Sequence, residues 1–196
     1  MHDNPVLNWA VKNSRPGTQV LPVFCFDPRF FTNAVPEFQM ARKSGVHRTR
    51  FAIESVADLR TNLQQVGSGL LVAQAKPEDF LPQLVHPERH TTIVFSAETC
   101  SEERSVEDKL EKAMKAKGEC RFVDLWGNTL CHIDDIPERM WDRFPSSATA
   151  FMRMTDNINI RPALPSPQHG QLPSMEPGSD VEANALDFTP DLIRDF

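Results

Sequence analysis

Residues 91–110, Thr-Thr-Ile-Val-Phe-Ser-Ala-Glu-Thr-Cys-Ser-Glu-Glu-Arg-Ser-Val-Glu-Asp-Lys-Leu, carry a strand, a polar turn and a charged helix in direct succession. Thr91 to Ala97 is rich in β-branched and aromatic residues, which suit a packed, pleated surface. Thr99 followed three residues later by Glu102 has the form of a capping box, which satisfies orphan N–H groups at a helix start. Val106, Leu110, Ala113 and Met114 then recur at helical spacing, with charges on the other face. A strand that delivers carboxylates to a helix N-terminus is where open α/β sheets bind ligands.

Outward from this stretch, the same alternation repeats. Asn4 to Asn13 reads as a helix, capped by Asp3 or Asn4, with Pro5 in its first turn and Val6, Leu7, Ala10 and Val11 on one face. Gln19 to Phe26 reads as a buried strand in which Pro22 demands an edge or a bulge. Val46 to Val66 is the longest helical pattern and Gly67 closes it. A strand at Leu70 to Ala75, a short helix at Pro77 to Val85 and a last strand at Arg121 to Trp126 complete the order. Helix, strand, helix, strand predicts a mostly parallel, doubly wound sheet with helices on both faces. Such a sheet should open on a strand, and this one opens on a helix.

From Pro137 onward, eight of the 16 prolines fall within sixty residues. Arg161 to Ser179 has no usable periodicity and reads as an extended linker. Phe188 to Phe196 offers at most a turn of helix.

The bulk numbers narrow the function. A chain of 196 residues with 40% hydrophobic content holds one domain and a tail. No apolar run approaches the ~20 residues needed to cross a membrane. Cys25, Cys100, Cys120 and Cys131 show neither close pairing nor metal-ligand spacing, and read as reduced thiols of an intracellular protein. A net charge of −6 repels phosphate, which makes the isolated chain a poor DNA binder. Gly67-Ser-Gly69 precedes a strand and lacks a third glycine, so it is no dinucleotide fingerprint. Without a glycine loop to cradle phosphates, a generic nucleotide-binding domain has no support. Arg42, Lys43, His47, Arg48 and Arg50 form a basic cluster that reads as a solvated helix start. Cys131-His132 and Asp134-Asp135 lie too close together in a loop to make a metal site without a distant partner.

Several segments in order resemble the N-terminal α/β domain of the photolyase/cryptochrome family, in particular its DASH-type cryptochromes. They are His2-Asp-Asn-Pro-Val-Leu7, Val23-Phe-Cys-Phe-Asp-Pro-Arg29, Lys43-Ser-Gly-Val-His-Arg48, Glu54-Ser-Val-Ala-Asp-Leu-Arg60, Glu98-Thr-Cys-Ser-Glu-Glu103, and Trp126-Gly-Asn-Thr-Leu130 with Asp134-Asp-Ile-Pro137. The resemblance implies a Rossmann-like sheet of order 3-2-1-4-5 over residues 1–140, with an interdomain linker over 141–196. It also implies that the family's first, central strand lies before the sequence given. Burial of about five apolar side chains in that strand is worth roughly 10 kcal/mol, comparable with the ~5–15 kcal/mol stability of a domain. The helical FAD-binding domain is likewise expected to be absent, which leaves the chain without the flavin chemistry.

What the family does sets the remaining expectations. The parent function is blue-light-driven, FAD-dependent repair of cyclobutane pyrimidine dimers in single-stranded DNA, or photoreception. This chain would be the antenna half, with a weak or partial site for methenyltetrahydrofolate and no flavin site or repair activity of its own. The resemblance places cofactor-binding residues at Glu98 and Glu102, in the turn after the strand, and at Phe26 and Asp27, at the end of the neighbouring strand. The residues themselves allow plainer roles: Glu102 as the cap of Thr99, Phe26 as core, Asp27 as the opening of a turn. The implied partner is a helical FAD-binding domain or chain, with no membrane contact. The alternative is a chromophore-free interaction module that docks through the open edge of its sheet.

Overall fold

In the computed structural model, residues 1–31, 43–86, 88–142 and 144–173 are described. Helix α1 (Pro5–Asn13) begins where Asn4 Oδ1 accepts the N–H of Leu7 at 2.9 Å, with Pro5 at a position that needs no N–H. Strand β1 (Val23–Cys25) starts only after Pro22, so the expected strand from Gln19 is cut to three residues by the missing N–H. A short α2 (Pro28–Phe31) follows. Helix α3 (Val46–Gln65) ends in a Schellman motif: Ser68 N–H bonds Leu63 C=O at 2.9 Å, Gly67 N–H bonds Gln64 C=O at 3.0 Å, and Gly67 takes φ +81°.

Strand β2 (Leu71–Ala73) precedes α4 (Pro77–Phe80), which continues as a 3-10 turn, so the expected helix to Val85 is shorter and tighter. Strand β3 (Thr91–Ser96), helix α5 (Ser101–Lys115) and strand β4 (Cys120–Leu125) realise the opening stretch as expected. Short α6 (Arg139–Asp142) and α7 (Ala148–Thr155) lie in the proline-rich region. The possible turn at Phe188 to Phe196 lies outside the described residues.

The strands form two parallel pairs: Val23–Cys25 in register with Leu71–Ala73, and Thr91–Ser96 with Cys120–Leu125. Pro5, Lys43, Glu78 and Glu102, each at or next to the start of a helix, share one edge. Lys43 bonds Glu102 and Arg29 bonds Glu78, and Pro5 lies under Gly127 just past β4. All four strands therefore end at the same edge and run in the same direction. The α/β, doubly wound reading holds, with α1 and α3 on one face and α4 and α5 on the other.

The main core joins Phe26, Leu70 and Val72 to Ile53, Val56 and Leu63 of α3, with Leu7, Ala10 and Val11 of α1 against it. On the opposite face, Leu71, Ala73 and Phe80 gather Val23 and Cys25. Packing continues past residue 140. Leu172 is fully buried in the main core, Gly170 N–H bonds Val66 C=O at 3.0 Å, and Val20 N–H bonds Pro173 C=O at 2.7 Å. Residues 156–173 are irregular, and they strap the domain. Asp3 clasps the same segment: its N–H bonds Leu164 C=O, and its carboxylate accepts Leu164 N–H, each at 2.9 Å.

A methyl group at Gly127 would sit 2.5 Å from Pro5 Cγ, and a proline ring cannot step aside. Gly127→Ala is therefore expected to lower the melting temperature by on the order of 5 °C through overpacking. An unchanged thermal melt would show that the start of α1 yields.

Candidate functional site at the C-terminal ends of the strands

Three side-chain groups occupy the edge where β1, β2 and β3 end. The first is built on Arg29. Its backbone N–H and its Nε each bond Asp27 Oδ1 at 2.9 Å, while Nη1 and Nη2 reach Glu78 Oε1 and Oε2 at 2.8 Å. This planar fork ties the end of β1 to the start of α4. Burial works against the charge on Glu78, but the hydrogen bond from Arg29, a backbone hydrogen bond and the Arg29 charge together hold the carboxyl below its ordinary range. Cys25 sits just beneath. Burial first, and the Asp27 charge second, push its thiol up to about 12, so it is no nucleophile at neutral pH.

The second group is Lys43 with Glu102. Nζ lies 2.7 and 2.6 Å from the two carboxylate oxygens and 5.4 Å from the centroid of the Phe30 ring. The expected capping box is therefore not formed. The N-cap of α5 is Cys100, without a side-chain cap, and Glu102 turns to Lys43 instead of Thr99. A full positive charge outbids a neutral N–H for a carboxylate.

The third group is acidic. Glu98 is exposed, and its N–H bonds Glu107 Oε1 at 3.2 Å. Burial, opposed by that hydrogen bond, raises the Glu107 carboxyl above its ordinary value. Glu103, in the first turn of α5, has a buried Oε2 with no hydrogen-bond partner. Just beyond β4, Asn128 Nδ2 bonds Ala97 C=O at 3.0 Å and Trp126 Nε1 bonds Thr129 Oγ1 at 2.7 Å, which fixes the rim.

The DNA photolyase family model matches residues 1–168. The chain belongs to the DNA photolyase family. It is 37% identical over 175 residues to the cryptochrome DASH of Danio rerio, covering 88% of this chain and 32% of that protein. It is 37% identical over 193 residues to the blue-light photoreceptor PHR2 of Arabidopsis thaliana, covering 98% of this chain and 41% of that one. Its structure superposes on the crystal structure of the Synechocystis sp. cryptochrome with TM-score 0.78 and 32% identity, over 98% of this chain and 37% of that chain. The chain thus spans a third to two fifths of these relatives. The family in general uses FAD and a folate-type antenna, and works with a C-terminal FAD domain and DNA.

In this photolyase-family domain the four expected site residues are placed differently from one another. Phe26 is fully buried, edge-on to Phe24 at 4.9 Å and to Phe31 at 5.3 Å between ring centroids. Asp27 is 4% exposed and faces Arg29. Glu98 and Glu102 lie at the surface, Glu102 paired with Lys43. Glu103 was missed by the reading of the sequence, although a signal for it existed. It shares the helical phase of Val106, Leu110 and Met114, so a charge stands within an apolar stripe.

Of the basic cluster, His47, Arg48 and Arg50 are exposed on the first turns of α3, and Arg42 lies outside the described residues. Around the Cys131 loop, Asp135 accepts two bonds from Arg161, at 2.7 and 2.8 Å. Among the described residues, no cluster of His, Cys, Asp and Glu is arranged to hold a metal, and no helix is long and apolar enough to cross a membrane.

Proposed function

We propose that this chain is the antenna domain of a DASH-type cryptochrome or photolyase, holding a folate-type group such as methenyltetrahydrofolate at the C-terminal ends of its strands. The supporting observation is the orphaned Oε2 of Glu103. A buried acceptor without a donor costs about 1–3 kcal/mol, and the ring N–H groups of a pterin are donors of the kind it lacks. Bound there, the folate would supply absorption of blue light for transfer to a flavin. Glu103 accepts the ring N–H, Glu98 and the Lys43–Glu102 pair form the outer rim, and the buried Phe26 and Asp27 act as positioning residues beneath them.

The parent activity, light-driven FAD-dependent repair of cyclobutane pyrimidine dimers in single-stranded DNA or photoreception, requires a helical FAD-binding partner. The chain alone is inactive in this reading.

Titration of the chain with methenyltetrahydrofolate, followed by ligand fluorescence, should saturate at one equivalent. Glu103→Gln exchanges a charged acceptor for a weaker neutral one and should raise the dissociation constant about tenfold or more. Glu98→Gln should change it little. No saturation, or equal binding by Glu103→Gln, would sink this assignment.

A second reading, a chromophore-free interaction module, is favoured by one observation. The two strand pairs are not hydrogen-bonded to each other.

A further inference from the structure

The outward face of α3 is ordered by charge as well as by exposure. Thr49, Ile53, Val56 and Leu63 form the buried face of this helix. On the opposite side, at spacings of three and four residues, His47, Arg50, Phe51, Glu54 and Asp58 make one exposed stripe. Phe51 is 71% exposed and Val46, at the flank of the stripe, 68%. An apolar ring ringed by charged side chains has the layout of a small interface, with an aromatic centre and a polar rim.

The charges are sorted along the stripe. Before Phe51 they are basic, His47 and Arg50, with Arg48 beside them; after it they are acidic, Glu54 and Asp58. Arg50 and Glu54 stand four residues apart, the spacing of a pair within one helix. Among the described residues, however, no ion pair holds His47, Arg50 or Glu54. The strap does not cover the stripe: it meets the outer end of α3 at Val66 and Gly67, about two turns beyond Asp58.

A stripe that is basic in one half and acidic in the other matches itself when reversed. We propose that α3 packs antiparallel against α3 of a second copy of this chain, about a two-fold axis midway between Phe51 and Glu54. In such a contact residue i meets j as j meets i. Arg50 of each copy then faces Glu54 of the other, and His47 faces Asp58. The two Phe51 rings meet beside the axis, displaced by about 4.5 Å along the helices at 1.5 Å per residue. A parallel pairing would set like charges against each other, so charge selects the antiparallel one. A nucleic acid or an acidic peptide would be drawn to the basic half and repelled by the acidic half, so neither matches the whole stripe. From Val46 to Asp58 the stripe is about 20 Å long, which puts the contact at the small, exchanging end of protein interfaces. This goes beyond the antenna reading and uses none of the residues of the folate site.

The test is the oligomeric state of the full chain by sedimentation velocity, over a concentration series reaching about 1 mM, where an interface of this size is populated. A monomer–dimer equilibrium is expected. Arg50→Glu makes the stripe predominantly acidic and Glu54→Arg makes it predominantly basic. Each converts two attractive pairs of the dimer into repulsive ones, and should raise its dissociation constant about tenfold or more. Mixed in equal amounts, the two variants again oppose unlike charges at both positions, so a heterodimer should form with about the wild-type constant. Both side chains are exposed, so each variant should melt with the wild type, which separates loss of association from loss of fold. Phe51→Ser, which removes the ring at the axis, should also weaken the dimer. The proposal is overturned by a chain that stays monomeric throughout, by a dimer that Arg50→Glu and Glu54→Arg leave unchanged, or by a mixture no more associated than the separate variants.

Discussion

Replacing Arg29 with alanine is expected to destabilise the chain by about 3 kcal/mol or more, because it leaves a buried carboxylate unpaired. Asp27 is 4% exposed, and Arg29 supplies it with two side-chain N–H groups as well as a backbone one. The same guanidinium holds Glu78 of α4, 49 residues away in sequence. Without it, two carboxylates face each other at the end of β1. The measurement is the urea midpoint of Arg29→Ala against wild type. A shift worth less than about 1 kcal/mol, the range of exposed pairs, would show the cluster to be solvated and dispensable. Asp27→Asn with Arg29 intact should cost less, since it removes the buried charge itself.

The cluster also makes stability depend on pH, with a definite sign. The Glu78 carboxyl is held below its ordinary value in the folded chain. Its contribution is therefore fully present above the unfolded value of about 4.3, and is lost as pH falls through the folded value. The wild-type urea midpoint should fall in that acid range. In Arg29→Ala, which lacks the hydrogen bond that depresses Glu78, this part of the fall should vanish. The same acid dependence in both proteins would assign it to other carboxylates.

The second large effect is expected at Leu172. Replacing this fully buried side chain with alanine should cost about 2–5 kcal/mol, the range for a core leucine whose surroundings cannot collapse. It belongs to one buried cluster with Phe26, Ile53, Val56, Leu63, Leu70 and Val72. Its exchange therefore loosens the contact between α3 and the first strand pair. The measurement is again the denaturation midpoint, with Met154→Ala as a control at an exposed position of α7. If Leu172→Ala behaves like the control, the strap is not part of the domain. If the large loss is found, the folding unit reaches at least residue 172, well past the boundary at 140 that the resemblance implied.

How far the sequence could be read depended on the reach of each interaction. The segments Asn4 to Asn13, Val46 to Val66 and Thr91 to Met114 were legible because helix capping, the Gly67 stop and the 3.6-residue stripe act within a turn or two of the chain. The shortening of β1 was signalled by Pro22. Less was legible at the site. Glu102 satisfied the spacing rule for a capping box, yet it pairs with Lys43, 59 residues away. Asp27 read as the opening of a turn, and does open one, but its partner Arg29 is shared with Glu78 from a different helix. Glu103 carried a mark in its helical phase, visible only when the whole stripe of α5 is drawn through it.

By itself, then, the sequence determined the order and type of the elements, the family, and the edge at which carboxylates gather. These follow from short-range backbone preferences and from hydrophobic periodicity. Only the tertiary structure decided which carboxylate is neutralised and which is left buried without a donor. It also decided that Leu172 belongs to the core. Each of these depends on which surfaces lose water when distant segments pack, and no local spacing in the chain encodes that.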